Sequence, residues 1–117
     1  MKFAKTHEWV KIEGNKAKVG LSDHAQSELG DIVYINLPEL DTPVTIGKAF
    51  TDVESVKAVS EVLSPVSGVI INVNDELDTA PEKINEDPYG AWIIEVEVSE
   101  VSDELMTEEE YKEFIKE

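Results

Sequence analysis

Reactive groups are scarce in this chain. It contains no cysteine, which removes thiolate nucleophiles, disulfides and cysteine-type zinc sites. All ten bases are lysine, against 26 acids and a net charge of −16. Without arginine the chain lacks the planar fork that grips a phosphate or carboxylate in two places. Nucleic acid is a poor candidate partner for a chain of that net charge, since its binding depends on cationic neutralisation of phosphates. His7 and His24 are the only histidines. Asp23 adjoins His24, but neighbours in sequence do not face one another on a helix. There is no G-x-S-x-G elbow, no H-E-x-x-H or EF-hand spacing, no P-loop and no G-x-G-x-x-G. The histidines therefore read as surface or capping residues, Trp9 and Trp92 as core aromatics, and Pro88-Tyr89-Gly90 as a turn.

The remaining usable chemistry is a primary amine, and one lysine has an unusual setting. Two apolar segments, Phe50 to Val53 and Ala58 to Leu63, read as strands joined by Glu54-Ser55-Val56-Lys57. Lys57 sits at or next to the tip of that connection, flanked by the small apolar Val56 and Ala58. A lysine in a turn is ordinarily solvated and idle. Held by a stiff hairpin and clear of the body, it is also what a modifying enzyme needs to acylate one amine among ten.

The surrounding elements read as follows. Trp9 to Ile12 is a strand, Gly14-Asn15 a turn, and Ala17, Val19 and Leu21 alternate with polar neighbours as a half-buried strand, giving a hairpin. Ser22-Asp23 offers a helix N-cap, with Asp23 and Gln26 spaced as a capping box and Gly30 placed to end the helix in the left-handed conformation. Strands follow at Ile32 to Leu37, closed by Pro38, and at Val44 to Ile46 before a turn at Gly47-Lys48. Ser64-Pro65 and Ser67-Gly68 punctuate the next connection, then come strands at Val69 to Val73 and Trp92 to Val98 with an irregular stretch between them. Thr107 to Lys116 predicts a terminal helix, with Thr107 and Glu110 as a capping box and Tyr111, Phe114 and Ile115 on one apolar stripe.

Many short strands with Gly and Pro turns point to a mainly β sandwich or flattened barrel with helices at its edges. At 117 residues, with no linker, the expectation is one domain over residues 1–117. No apolar run is long enough to cross a bilayer, and Met1-Lys2-Phe3-Ala4-Lys5 is not followed by the apolar core of a secretory signal. A cytoplasmic location is expected, or the mitochondrial matrix for a processed eukaryotic protein. From Glu95 to Glu117 ten acids face two lysines, the composition of a solvated strand edge and helix face.

Glu54-Ser55-Val56-Lys57-Ala58 resembles the lipoyl-attachment signature of the glycine cleavage system H protein family. So, in the same order, do Thr6-His7-Glu8-Trp9-Val10, Asp23-His24-Ala25-Gln26 with Leu29-Gly30-Asp31, Leu37-Pro38-Glu39, Ser64-Pro65-Val66-Ser67-Gly68, Val73-Asn74 and Asn85-Glu86-Asp87-Pro88-Tyr89-Gly90. The likeness spans essentially the whole chain. It departs at Asp41, where the family usually has Gly, at Thr51, where Gly is common, and at Gly90-Ala91-Trp92, one residue and a glycine short of the usual turn.

The resemblance implies a lipoyl/biotinyl-type flattened β-barrel or sandwich with short peripheral helices and a C-terminal helix. It implies a carrier, not an enzyme, with lipoate amide-linked to Lys57 and Glu54, Ser55, Val56 and Ala58 as the recognition context. The implied partners are a pyridoxal-phosphate glycine decarboxylase, a tetrahydrofolate-dependent aminomethyltransferase, dihydrolipoamide dehydrogenase and a lipoate-attaching enzyme, served by a monomer. A loaded aminomethyl group is cationic and its carbon hydrolysable, so a water-excluding cleft with a carboxylate would protect it. Thr6, Glu8 and Glu61 are the candidates for that cleft.

Other swinging-arm carriers match less well. Biotinyl domains usually have Met on both sides of the lysine, and 2-oxo-acid dehydrogenase lipoyl domains usually have Asp before it, where Val56 stands here. A related alternative is a protein relaying lipoate to other lipoyl domains, and the alternative from a different class is an unmodified acidic interaction module.

Overall fold

The computed structural model describes residues 1–116. Two antiparallel sheets pack face to face in a flattened body of 35 × 34 × 21 Å. Strands β1 (Lys2–Phe3), β2 (Glu8–Glu13) and β3 (Lys16–Leu21) open the larger sheet. Helix α1 (Asp23–Leu29) and β4 (Ile32–Ile35) lead to β5 (Pro43–Val44), β6 (Ala49–Ser55) and β7 (Val59–Leu63). Then follow β8 (Val66–Val73), the short helices α2 (Glu76–Thr79) and α3 (Lys83–Glu86), β9 (Ile94–Val101) and the terminal helix α4 (Glu108–Ile115). The larger sheet runs β1-β2-β3-β9-β8-β5, and the smaller runs β4-β6-β7. No helix among the described residues is long and apolar enough to cross a membrane.

The core forms where the inward faces meet. Val10, Val19, Ile70, Ile94 and Val96 come from the larger sheet, Ile35, Val53 and Val62 from the smaller, and all are fully buried or nearly so. Each such side chain contributes about 1.5–3 kcal/mol of burial. A second cluster lies on the outside of the larger sheet under α4. There Phe3 and Tyr111 stack with ring centroids 4.4 Å apart, and Trp9 Nε1 donates to the Pro88 carbonyl at 3.0 Å. Trp92 is only half-buried, with Lys18 Nζ 5.2 Å from its ring centroid.

The β2–β3 hairpin follows the alternation: Val10 opposes Val19 and Ile12 opposes Ala17. α4 is capped as its sequence predicts, with Thr107 Oγ1 accepting from Glu110 N and Glu110 Oε1 from Thr107 N. Elsewhere the detail differs. The cap of α1 is Ser22, whose Oγ accepts from Ala25 N, and Asp23 joins Gln26 only by a side-chain hydrogen bond. Gly30 does take positive φ, but its φ 79, ψ −163 is outside the left-handed helical region. Ser67-Gly68 lies inside β8 rather than in a connection, because a register shift there needs a glycine: a Cβ on Gly68 would stand 2.0 Å from the Glu97 carbonyl oxygen. The stretch read as irregular holds α2 and α3, each anchored by one buried residue, Leu77 and Ile84. Asp41, where the resemblance leads one to expect glycine, adopts φ 67.

Candidate functional site

β6 and β7 pair through Val53↔Ser60 and Glu54↔Val59, leaving Val56, Lys57 and Ala58 as the connection. It is one residue shorter than read from the sequence, because Glu54 and Ser55 extend β6. Ser55 builds the turn. Its backbone N–H donates to the Ala58 carbonyl at 2.8 Å, and its Oγ accepts from Lys57 N at 3.1 Å and Ala58 N at 3.2 Å. Two amides converging on one hydroxyl pin the backbone that carries Lys57. Glu54, Val56, Lys57 and Ala58 are all exposed. The tip rests on the end of α1: Val56 N donates to the Asp31 carbonyl at 3.0 Å. A methyl added to Gly30 would lie 3.4 Å from Lys57 Cε and 3.6 Å from Val56 Cγ2.

At the other end of β7 lies a buried carboxyl. Glu8, the first residue of β2, is 2% exposed. Thr6 Oγ1 donates to Glu8 Oε1, and Leu63 N donates to Oε2 at 3.2 Å. A cavity of about 130 Å³ opens beside them, lined by Thr6, Glu8, Ile46, Leu63, Ser64 and Leu105 among others. Burial pushes the Glu8 carboxyl up to about 7, and the hydrogen bonds from Thr6 and the Leu63 amide oppose that shift without cancelling it.

Thr6 and Glu8, predicted together for the arm cleft, do meet there. Glu61 does not line this cavity. It is exposed on the outward face of β7, opposite Asp52 of β6, two residues before Leu63. It stands four residues from Lys57, roughly 13 Å along an extended strand. The part played by Leu63 has no signal in the sequence, because it is a backbone amide brought to Glu8 by the packing of one sheet on the other.

The histidines form part of a joint. His7 takes φ 79, and its Nδ1 lies 2.7 Å from Tyr111 Oη, which in turn lies 2.7 Å from Ser22 Oγ. The rings of His7 and His24 are 4.8 Å apart, and His24 Nε2 reaches Glu28 Oε1 at 3.5 Å. Burial first, and His24 second, lower the His7 pKa. This network ties α4 to the cap of α1. No group of three or more His, Asp or Glu side chains among the described residues is arranged to hold a metal ion.

The chain is similar to known proteins over its whole length. The family model described as Glycine cleavage H-protein matches residues 1–117. The glycine cleavage system H protein of Halalkalibacterium halodurans is 53% identical over 120 residues, covering 100% of this chain and 94% of the relative. That of Coprothermobacter proteolyticus is 52% identical, covering 98% of this chain and 94% of the relative. The crystal structure of a glycine cleavage system H protein from Mycobacterium marinum superposes with a TM-score of 0.92 at 35% identity, over 99% of this chain and 96% of that one.

Proposed function

The chain belongs to the glycine cleavage H-protein family, and from that premise we propose that residues 1–117 form one carrier domain bearing lipoate in amide linkage on Lys57. On this reading the protein works in the cytoplasm, as a shuttle and not an enzyme. It passes from a pyridoxal-phosphate glycine decarboxylase to a tetrahydrofolate-dependent aminomethyltransferase and then to dihydrolipoamide dehydrogenase. The lipoyl group supplies a redox-active disulfide that receives the aminomethyl fragment of glycine. The chain's own residues present, orient and shelter that group.

The observation that carries the reading is the mounting of Lys57. Its amine is exposed, so an attaching enzyme can reach it, and Ser55 holds the turn so that it is met in one orientation. Acylation removes the positive charge, so the aliphatic stem already lying over Gly30 can stay there at little electrostatic cost. A flexible arm on a rigid mount raises the effective concentration of its end at each partner's site.

Glu8 fits the sheltering role. Its carboxyl is oriented by Thr6 and Leu63 N, and near pH 7 it sits between charged and neutral forms. A cation brought beside it would hold it as the carboxylate. Val59, 65% exposed, and Glu61 lie on the outward face of the strand that runs from the tip to this cavity. A surface with an apolar residue and then an acid suits an aliphatic arm ending in an amine.

The test is intact-mass and peptide analysis of the protein from lipoate-replete cells. A lipoyl or octanoyl adduct on Lys57, absent from Lys57→Arg, is the expected result. Unmodified protein under those conditions, or an adduct on another lysine, would replace the carrier with an acidic interaction module or a different attachment site.

A further inference from the structure

Asn85 belongs to α3, remote in sequence from the hairpin that carries Lys57. Outside the β4–β6 and β6–β7 ladders, the tip makes one backbone hydrogen bond to the rest of the described chain, from Val56 N to the Asp31 carbonyl. How well the tip is held therefore depends on how well Asp31 is held. Asp31 lies between α1 and β4, next to Gly30, whose φ 79, ψ −163 is open only to glycine. A corner of that kind stays in place only if its surroundings fix it.

Asn85 supplies the fixing. Its Nδ2 donates to the Gly30 carbonyl at 2.9 Å, and its Oδ1 accepts from Ile32 N at 2.8 Å. These two groups flank Asp31, as the paired groups of a neighbouring strand would. The side-chain amide thus stands in for a missing strand on one side of Asp31, while Val56 N takes the Asp31 carbonyl on the other. The second Nδ2 hydrogen goes to Gln26 Oε1 at 3.0 Å, so both donors of the amide are used.

We propose that Asn85 is a positioning residue for Lys57: its amide fixes the Gly30–Ile32 corner on which the hairpin tip rests, and so sets the place from which the amine meets the enzyme that acylates it. This rests on Lys57 being the attachment residue.

The experiment has two readouts on the full chain, for the unaltered protein, Asn85→Ala and Asn85→Asp. One is amide hydrogen exchange at Val56 relative to Val62. The other is acylation of Lys57 by a purified lipoate–protein ligase with lipoate and ATP. In Asn85→Ala the Val56 amide should exchange about tenfold faster or more against the Val62 reference, because its support opens locally. The KM for the carrier should rise about fivefold with kcat within about twofold, since the loss is in preorganisation. Asn85→Asp keeps the acceptor for Ile32 N but sets a carboxylate oxygen against the Gly30 carbonyl and Gln26 Oε1, and should loosen the tip at least as much as Asn85→Ala. A folded variant with unchanged Val56 protection and unchanged KM overturns the assignment. So does a Val56 amide that exchanges at the rate of an open turn in the unaltered protein, which needs no substitution. If the unaltered protein is not acylated on Lys57, the carrier reading fails, and the Val56 comparison still decides the positioning role.

Discussion

The backbone amide of Leu63 donates to Glu8 Oε2 at 3.2 Å, joining the last residue of β7 in the smaller sheet to the first residue of β2 in the larger. The strand that descends from the Lys57 hairpin therefore ends on the buried carboxyl. With Thr6 on the other oxygen, Glu8 has one hydrogen-bond donor on each oxygen and almost no contact with bulk water.

That burial gives Glu8 a measurable pH signature. Its pKa rises from 4.5 to about 7 on folding, chiefly by desolvation. Between those values the native state binds more protons than the unfolded state, so this group's contribution to stability falls as pH rises through the window and is level above it. Glu8→Gln keeps the shape without the charge: its Oε1 can accept from Leu63 N, while its Nε2 must donate to Thr6 Oγ1, reversing that hydrogen bond. It should be more stable than the unaltered protein at about pH 8, by on the order of 2 kcal/mol, and nearly equal to it at about pH 5. His7 has the opposite sign, since its pKa is lowered and its contribution is lost as pH falls below 6.5. It is common to both proteins and cancels in the difference. Denaturant titrations at the two pH values decide the matter; a difference that does not change with pH would mean that Glu8 titrates like an exposed acid.

The second cluster depends on a glycine. A Cβ on Gly20 would stand 2.6 Å from Trp9 Cε2, and Trp9 is held in place by its hydrogen bond to Pro88 and by burial under Phe3 and Tyr111. Gly20→Ala should cost about 1–3 kcal/mol through overpacking, more than any gain from the reduced freedom of the unfolded chain. A lowered Tm with shifted Trp fluorescence is the expected reading. An unchanged Tm would show that the indole can move aside.

Much of this arrangement was legible in the sequence where a local rule decides the outcome. The β2–β3 alternation, the Thr107–Glu110 box and the hairpin under Lys57 each follow from residues close in the chain. The features that were missed depend on partners far away. The Leu63 amide reaches Glu8 only because one sheet covers the other, and Gly68 looks like a loop glycine until β9 is placed against it. α2 and α3 are too short for a helical period, and each buries a single residue, Leu77 and Ile84. Asn85 is an unremarkable loop-type residue until α3 lies beside the end of α1.

The outward face of β6 and β7 carries the last prediction. Asp52 and Glu61 lie directly opposite one another there, with Glu54 a little nearer the tip. Like charges in that register repel and cost a few tenths of a kcal/mol, and neither acid has a lysine partner among the described ion pairs. An acidic surface beside Lys57, on a chain of net charge −16, suits partners with basic rims that it would attract from a distance. On the proposed carrier reading, transfer from a glycine decarboxylase to the lipoylated chain should therefore slow several-fold as salt is raised past about 0.15 M, where surface charges are screened beyond roughly 8 Å. Asp52→Asn with Glu61→Gln should flatten that salt response and leave the fold as stable or slightly more so. If the slowing is as steep in the double variant as in the unaltered carrier, the steering charges lie elsewhere, with the acids of β9 and α4 next to be tested. If the rate of the unaltered carrier does not respond to salt, docking is not electrostatic at all.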